Sequence, residues 1–153
     1  MLYDDEPDLR LFMLVAHIWE KFRHWMERQL KAIDLTLPQF GALSALFRND
    51  RISQRELSEI VNGDVSTMVV ICDSLEKKGL IQRLPDPSDR RVNRLVLTDS
   101  GKETVARVSP RMREVYNNLL NNTSANELKP AVLLLEKINR NANNLPDVFV
   151  NEK

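Results

Sequence analysis

Four short segments between residues 53 and 97 constrain the fold of this 153-residue chain more than any other feature. Two of them carry apolar residues at a helical period and are separated by Asn62-Gly63, a dipeptide that ends a helix. The other two, residues 80–84 and 93–97, alternate apolar and polar residues on either side of a charged loop that contains prolines. Two short helices followed directly by a hairpin predict a winged helix-turn-helix, a mainly α fold with a small β-hairpin.

Capping residues indicate where these helices begin. Ser53 has Glu56 three residues later, and Thr36 has Gln39 at the same spacing, so side chain and backbone can cap each other. Asp64 is placed to cap the second short helix. The helical period predicts that the buried faces of the two short helices consist of Leu57, Ile60, Val61, Val65, Met68, Ile71, Cys72 and Leu75.

Long helices are predicted on both sides of this segment. Residues 9–33 carry two apolar stripes, and residues 99–142 contain two further helical patterns, of which the second starts at Ser124 with Glu127. A helix with two apolar stripes needs two packing partners. One partner is the helix's own domain and the other is most simply a second copy of the chain. We therefore expect a homodimer of single-domain subunits, each comprising residues 1–153.

The composition excludes several classes of protein. The chain is 42% hydrophobic and 29% charged, as in folded globular proteins, and its single cysteine, Cys72, excludes an internal disulfide. The uncharged stretch Leu11–Trp19 is about half as long as a bilayer span requires. The first eight residues include four acidic side chains and no basic start of a signal peptide. We expect a cytoplasmic protein with no membrane partner.

The charge distribution indicates a nucleic-acid partner although the net charge is zero. Residues 77–94 contain six basic and two acidic side chains. A helix as narrow as the second short one fits the major groove of double-stranded DNA, where Ser66, Thr67, Val69 and Val70 would face base edges. At the hairpin tip, Arg90 and Arg91 can reach phosphates or a narrow minor groove, while Asp89 can hold an arginine in a fixed orientation. Ser53, Gln54 and Arg94 complete the predicted DNA-binding set.

Several sequence segments carry a resemblance to a known family. The residues 53–57, 73–83, 86–91 and 97–101 resemble, in order and spacing, the multiple-antibiotic-resistance regulator (MarR) family. The resemblance implies a homodimeric winged-helix transcription regulator, usually a repressor, in which residues 9–33 and 99–142 dimerise and residues 36–98 bind DNA. It also implies that Asp89 and Arg91 form the family's Asp-x-Arg pair and place an arginine in the minor groove. Arg90 would then contact the DNA backbone or form an internal ion pair.

The resemblance also implies that a small molecule acts as an effector. Relatives bind small aromatic or amphipathic molecules, for which His17, Trp25, Met26 and Phe40 are the candidate wall residues here.

The sequence departs from the family at the predicted DNA surface. Val69 and Val70 stand where relatives often carry a polar residue and an arginine. Because valine can contact a thymine methyl but cannot read guanine, we expect weak or thymine-biased base readout.

Each candidate site has a simpler interpretation. Ser66 and Thr67 can cap their own helix, and the two arginines of the tip can be a solvated loop. Cys72 can be a peroxide sensor, but its inward position favours an inert core thiol. His17, Glu20 and His24 share one helix face and could bind a metal, although two histidines at a dimer or pocket wall are the more common outcome.

The inventory of catalytic motifs excludes an enzyme. The sequence has no Gly-rich phosphate loop and no nucleophile elbow, and its two histidines lie in one helix. We therefore expect neither catalysis nor a cofactor. The open alternative is a winged helix that binds another protein and has weak or no specific affinity for DNA, because the net charge is zero and the predicted DNA-facing helix carries two valines.

Overall fold

The structure is a computed structural model that describes residues 6–88 and 92–146. The chain divides into two compact units, Met1–Ser109 and Pro110–Lys153. Its helices are α1 (Pro7–Lys31), α2 (Leu37–Arg48), α3 (Gln54–Ile60), α4 (Val65–Lys77), α5 (Asp99–Leu119) and α6 (Ala125–Ala142). Its strands are β1 (Ile52–Ser53), β2 (Ile81–Pro85) and β3 (Asn93–Leu97). The mainly helical winged helix-turn-helix predicted from the sequence is confirmed.

The predicted helix starts are confirmed because capping is a local interaction. Thr36, Ser53 and Ser124 each form a capping box with the side chain three residues later. The carboxylate of Asp64 accepts the backbone N–H of Thr67 and thereby starts α4. At the start of α5, the hydroxyl of Thr98 accepts the backbone N–H of Gly101 at 3.1 Å.

The sheet has one more strand than the sequence predicted. Its order is β1-β3-β2, and both pairings are antiparallel. In β1, Ile52 pairs with Leu95 and Ser53 pairs with Arg94. Because β1 contains only two residues, it is too short to show an alternating pattern. The extra strand joins the start of α3 to the hairpin.

The core of the first unit lies between α2, α3, α4 and the sheet. Its most deeply buried apolar side chains include Leu43, Leu46, Leu57, Met68, Cys72, Leu75, Ile81 and Leu95. The prediction was wrong for Ile60, which is 48% exposed, and for Val65, which is 51% exposed. Both residues lie at helix ends beside the turn between α3 and α4, where a helical period does not reveal whether another element covers the side chain. Val61 and Ile71 are half-buried.

Two glycines fix the connection that follows α4. Gly79 has φ +69°, in the left-handed region that favours glycine, and it ends the helix. At Gly101 an added Cβ would lie 2.1 Å from the carbonyl oxygen of Leu80, so only glycine allows α5 to begin this close to β2. The hairpin therefore leaves α4 and returns to α5 at fixed positions.

The second unit contains the end of α5 and the whole of α6. No residue of α6 is buried, and its exposed large apolar side chains are Leu128, Val132, Leu133, Leu134 and Leu135. Among the helices that the structure describes, none is both long and apolar enough to cross a bilayer.

Candidate nucleic-acid interface

The first turns of α4 form an exposed surface of mixed polarity. Ser66, Thr67, Val69 and Val70 are all exposed, and Val70 is the most exposed of them at 68%. Val65, which was predicted to be buried, is exposed and extends this surface. The helix itself is held from behind by Met68, Cys72 and Leu75, which are buried. The helix thus presents hydroxyl groups from serine and threonine together with methyl groups from valine.

Asp64 places a fixed negative charge at the start of this helix. Its carboxylate accepts hydrogen bonds from the Ser66 hydroxyl and, at 2.8 Å, from the backbone N–H of Thr67. These two bonds, the first being the larger cause, lower the pKa of Asp64 to about 2. The hydroxyl of Ser66 therefore takes part in the local cap, which is the alternative role considered for it.

Arg83 connects β2 to both helices of the helix-turn-helix. Its guanidinium donates to Asp73 at 2.6 Å and also to Glu76, and both acceptors lie on α4. A third bond, of 3.3 Å, reaches the side-chain oxygen of Gln54 at the start of α3. Gln54, a predicted DNA contact, is thus engaged within the protein. The arrangement holds α3, α4 and β2 in one orientation.

Arg94 connects β3 to the start of α3 and to the base of the wing. Its Nη1 donates to Glu56 at 2.8 Å, and its Nε donates to Asp86 at 2.5 Å. Ser53, another predicted DNA contact, caps α3 beside this pair. Arg94 was predicted to bind DNA, and the structure places its guanidinium between two carboxylates of its own chain.

The sequence did not single out the partners of these two arginines. Arg94 and Glu56 are 38 positions apart, and Arg83 and Gln54 are 29 apart. Such pairs have no spacing signal, because they depend on how β1 and β2 each pair with β3. The arginine-rich pattern of residues 77–94 was a signal, but it did not distinguish internal ion pairs from contacts to phosphate. The predicted wing-tip residues Asp89, Arg90 and Arg91 lie outside the described residues.

One of the four candidate effector residues lines a hollow along α1. A hollow of about 690 Å³ lies along α1 and is lined by Glu20, Lys21, His24, Trp25, Glu27, Arg28 and Lys31. Of the four candidates only Trp25 lines this hollow. Met26 and Phe40 are buried, and His17 is exposed on α1.

Two of the three candidate metal ligands on α1, Glu20 and His24, are engaged in local interactions. The carboxylate of Glu20 pairs with Arg23 at 2.6 Å, which lowers the pKa of Glu20. His24 Nδ1 lies 2.9 Å from the backbone oxygen of Glu20. Within residues 6–88 and 92–146, no group of three or more side chains is arranged to hold a metal ion.

Cys72 lies in the core of the first unit. Its thiol is completely buried, and burial raises its pKa to about 11. A thiol that stays protonated at neutral pH is a poor nucleophile and a poor peroxide sensor. This favours the inert role for Cys72.

Comparisons with known proteins identify relatives of this fold. The MarR family model matches residues 35–92, which include α2, the helix-turn-helix and β2 and end just before β3. The HTH-type transcriptional repressor IacR of Pseudomonas putida is 27% identical over 134 residues, covering 88% of this chain and 80% of that protein. The crystal structure of the reduced form of MarR from E. coli is 26% identical with a TM-score of 0.70, covering 84% and 95% of the two chains. A MepR–DNA complex from S. aureus, at 22% identity and a TM-score of 0.78, covers 91% of this chain and 99% of that chain and has the same fold.

Proposed function

We propose that this chain is a winged-helix transcription regulator of the MarR family, and that it is a repressor that binds a specific site in double-stranded DNA. The observation that carries the proposal is the outer surface of α4, where Ser66, Thr67, Val69 and Val70 are exposed on a helix anchored by a buried opposite face. A helix held in this way can enter the major groove without being reshaped. Residues 36–98 form the DNA-binding lobe.

The active species is a homodimer. The apolar side chains of α6, and those of α1 such as Phe12, Leu14 and Ile18, are exposed to a degree that is unusual for a monomer. Residues 9–33 and 99–142 form the dimer base. A two-fold axis then places the two recognition helices on half-sites about 34 Å apart, so the operator is a pseudo-palindrome.

Selection of bound duplexes from a random pool tests this function. The expected result is a pseudo-palindromic sequence whose half-site centres are about one helical turn apart. Affinity should fall steeply with salt, because phosphate contacts release counterions. Arg91→Ala should weaken binding by about 1–3 kcal/mol and leave the dimer intact. A pool that yields no enriched sequence at low salt would exclude specific DNA binding.

A small-molecule effector is the expected release signal. A small aromatic or amphipathic acid bound between the dimer base and the lobes would favour a lobe spacing that does not match the groove. A coupling of about 1–3 kcal/mol would weaken DNA binding by roughly 5- to 150-fold. The test is to measure ligand affinity for free and DNA-bound dimer, since equal affinities would exclude the coupling.

A second candidate function is a protein-interaction module. The exposure of Val65, Val69 and Val70 on α4 favours it, because a valine surface can also bind an apolar partner. The two functions differ in their response to salt. An apolar protein contact would persist at high ionic strength, whereas binding through phosphates would not.

A further inference from the structure

We propose that Arg94 is a positioning residue that fixes the wing to α3, and that it does not act as a contact to the DNA backbone. The inference deepens the proposed function and rests on it, because the wing matters only if the protein binds DNA. It assigns a second task to Glu56, which was predicted only as a capping partner of Ser53, and a task to Asp86, for which none was predicted.

Arg94 occupies the central strand of the sheet. It pairs with Ser53 of β1 on one side and with Leu84 of β2 on the other. Its guanidinium joins the two sides, because Nη1 donates to Glu56 and Nε donates to Asp86. Two bonds from a planar guanidinium in different directions fix its orientation more firmly than a single contact would.

Glu56 is itself immobilised at the start of α3. The Oε2 atom that accepts from Arg94 also accepts the backbone N–H of Ser53 at 2.6 Å, and this backbone bond is the main cause of the lowered pKa of Glu56. The Glu56 carboxylate is therefore ionised at neutral pH. Arg94 is thus bonded to a carboxylate that is itself held in place at the capped start of α3.

Asp86 is anchored at the base of the wing. It is only 6% exposed, and its Oδ1 accepts both the backbone N–H of Ser88 at 2.7 Å and the Ser88 hydroxyl at 2.5 Å. Its own backbone N–H donates to the carbonyl oxygen of Val92 at 2.9 Å. A continuous series of hydrogen bonds thus runs from Ser53 through Glu56, Arg94 and Asp86 to Ser88.

The partners of Arg94 argue against a phosphate contact. Two carboxylates already accept hydrogen bonds from its guanidinium, and a phosphate would have to compete with both of them. If Arg94 bound phosphate, removing the charge of Glu56 would free the guanidinium and strengthen DNA binding. If Arg94 positions the wing, removing that charge loosens the wing and weakens binding. The two roles predict effects of opposite sign.

Glu56→Gln is the decisive variant, measured by fluorescence anisotropy on the selected operator. Glutamine preserves the capping box of α3 but loses the ion pair with Arg94. Its matched control is Glu59→Gln, which removes the same charge from an exposed pair with Arg55 on the same helix. We expect Glu56→Gln to bind about tenfold more weakly than Glu59→Gln. Binding as tight as that of the control, or tighter, would overturn the proposal.

Arg94→Lys separates positioning from charge. Lysine retains the positive charge but cannot bond two carboxylates in fixed directions. We expect Arg94→Lys to lose about as much affinity as Glu56→Gln, with no change in the slope of log K against log salt, because no phosphate contact is lost. Near-normal affinity, or a slope reduced by about one, would identify a phosphate contact and overturn the proposal.

Hydrogen exchange in the absence of DNA distinguishes failure of this proposal from failure of the proposed function. The amides of Asp86 and Ser88 should exchange faster in Glu56→Gln and Arg94→Lys than in Glu59→Gln, while amides in the middle of α4 stay equally protected. Unchanged exchange at Asp86 and Ser88 would overturn the positioning role. If the exchange results are as expected but the wild-type chain binds no duplex, the proposed function fails and the structural link remains.

Discussion

Helices α4 and α6 both carry exposed apolar side chains, but only α4 has a buried side as well. In α4 the residues Met68, Cys72 and Leu75 are buried, and the exposed apolar side chains are three valines. In α6 no residue is buried, and four leucines and a valine are exposed. The position of α4 is thus fixed by contacts within its own unit, whereas the apolar residues of α6 remain to be covered.

Exposed apolar side chains can therefore suit two different kinds of binding partner. A few valines among serine and threonine on an anchored helix suit a partner with both methyl groups and polar edges, which is how the major groove presents thymine. A broad leucine surface suits a second apolar surface of the same kind. The two helices therefore suit the two partners proposed above, DNA for α4 and another copy of the chain for α6.

The largest effect is expected from a charge in the apolar stripe of α6. Leu135→Glu places a carboxylate on the face shared with Leu128 and Val132, where dimerisation would bury it without a partner. We expect the dimer dissociation constant to rise at least 100-fold, as measured by analytical ultracentrifugation at micromolar concentration. The control Lys137→Gln makes the same charge change on the opposite side of α6 and should leave the dimer intact. A dimeric Leu135→Glu protein would show that α6 is not in the interface.

The next largest effect is a loss of stability, expected at the end of α2, where a buried residue stands beside an exposed one. Leu46 is 2% exposed and Phe47 is 52% exposed. Leu46→Ala should lower the free energy of unfolding by about 2–5 kcal/mol, because it removes a buried side chain and leaves a cavity. Phe47→Ala should cost much less. Denaturant unfolding measures both, and equal losses would contradict the burial of the winged-helix core.

A smaller effect is expected from the valines of α4. Replacing thymine by uracil at a contacted operator position removes one methyl group and should weaken wild-type binding about fourfold, since burying one such group contributes roughly 0.8 kcal/mol. Val70→Ala should bind both operators almost equally, because it lacks the methyl groups that make the contact. If uracil weakens the variant as much as the wild type at every thymine, Val70 does not read thymine.

The smallest effect is the acid sensitivity of the α4 cap. The pKa of Asp64 is lowered from 3.8 to about 2 in the folded protein. Its stabilising effect is therefore complete above about pH 4 and is lost as the pH falls through the folded value. Asparagine caps equally well without titrating. The Tm of the wild type should thus decrease relative to that of Asp64→Asn between pH 6 and pH 3, and parallel Tm curves would contradict the lowered pKa.

The sequence predicted those features that depend on neighbouring residues. The caps at Thr36, Ser53, Asp64 and Ser124 were found because each needs partners only two or three positions away. The two-residue strand β1 was missed, and Ile60 and Val65 were wrongly placed inside, because these features depend on what the rest of the chain brings near. The ion pairs of Arg83 and Arg94 could not be predicted for the same reason. The basic segment indicated a DNA surface, but tertiary contacts decide which of its arginines remain available.

The mass of the complex formed with the selected operator tests the central claim most directly. If α6 binds a second copy and α4 binds DNA, sedimentation should show two chains on one duplex, and hydroxyl-radical footprinting should show two protected regions about one helical turn apart. A single chain bound to the full duplex, with one protected region, would contradict the account.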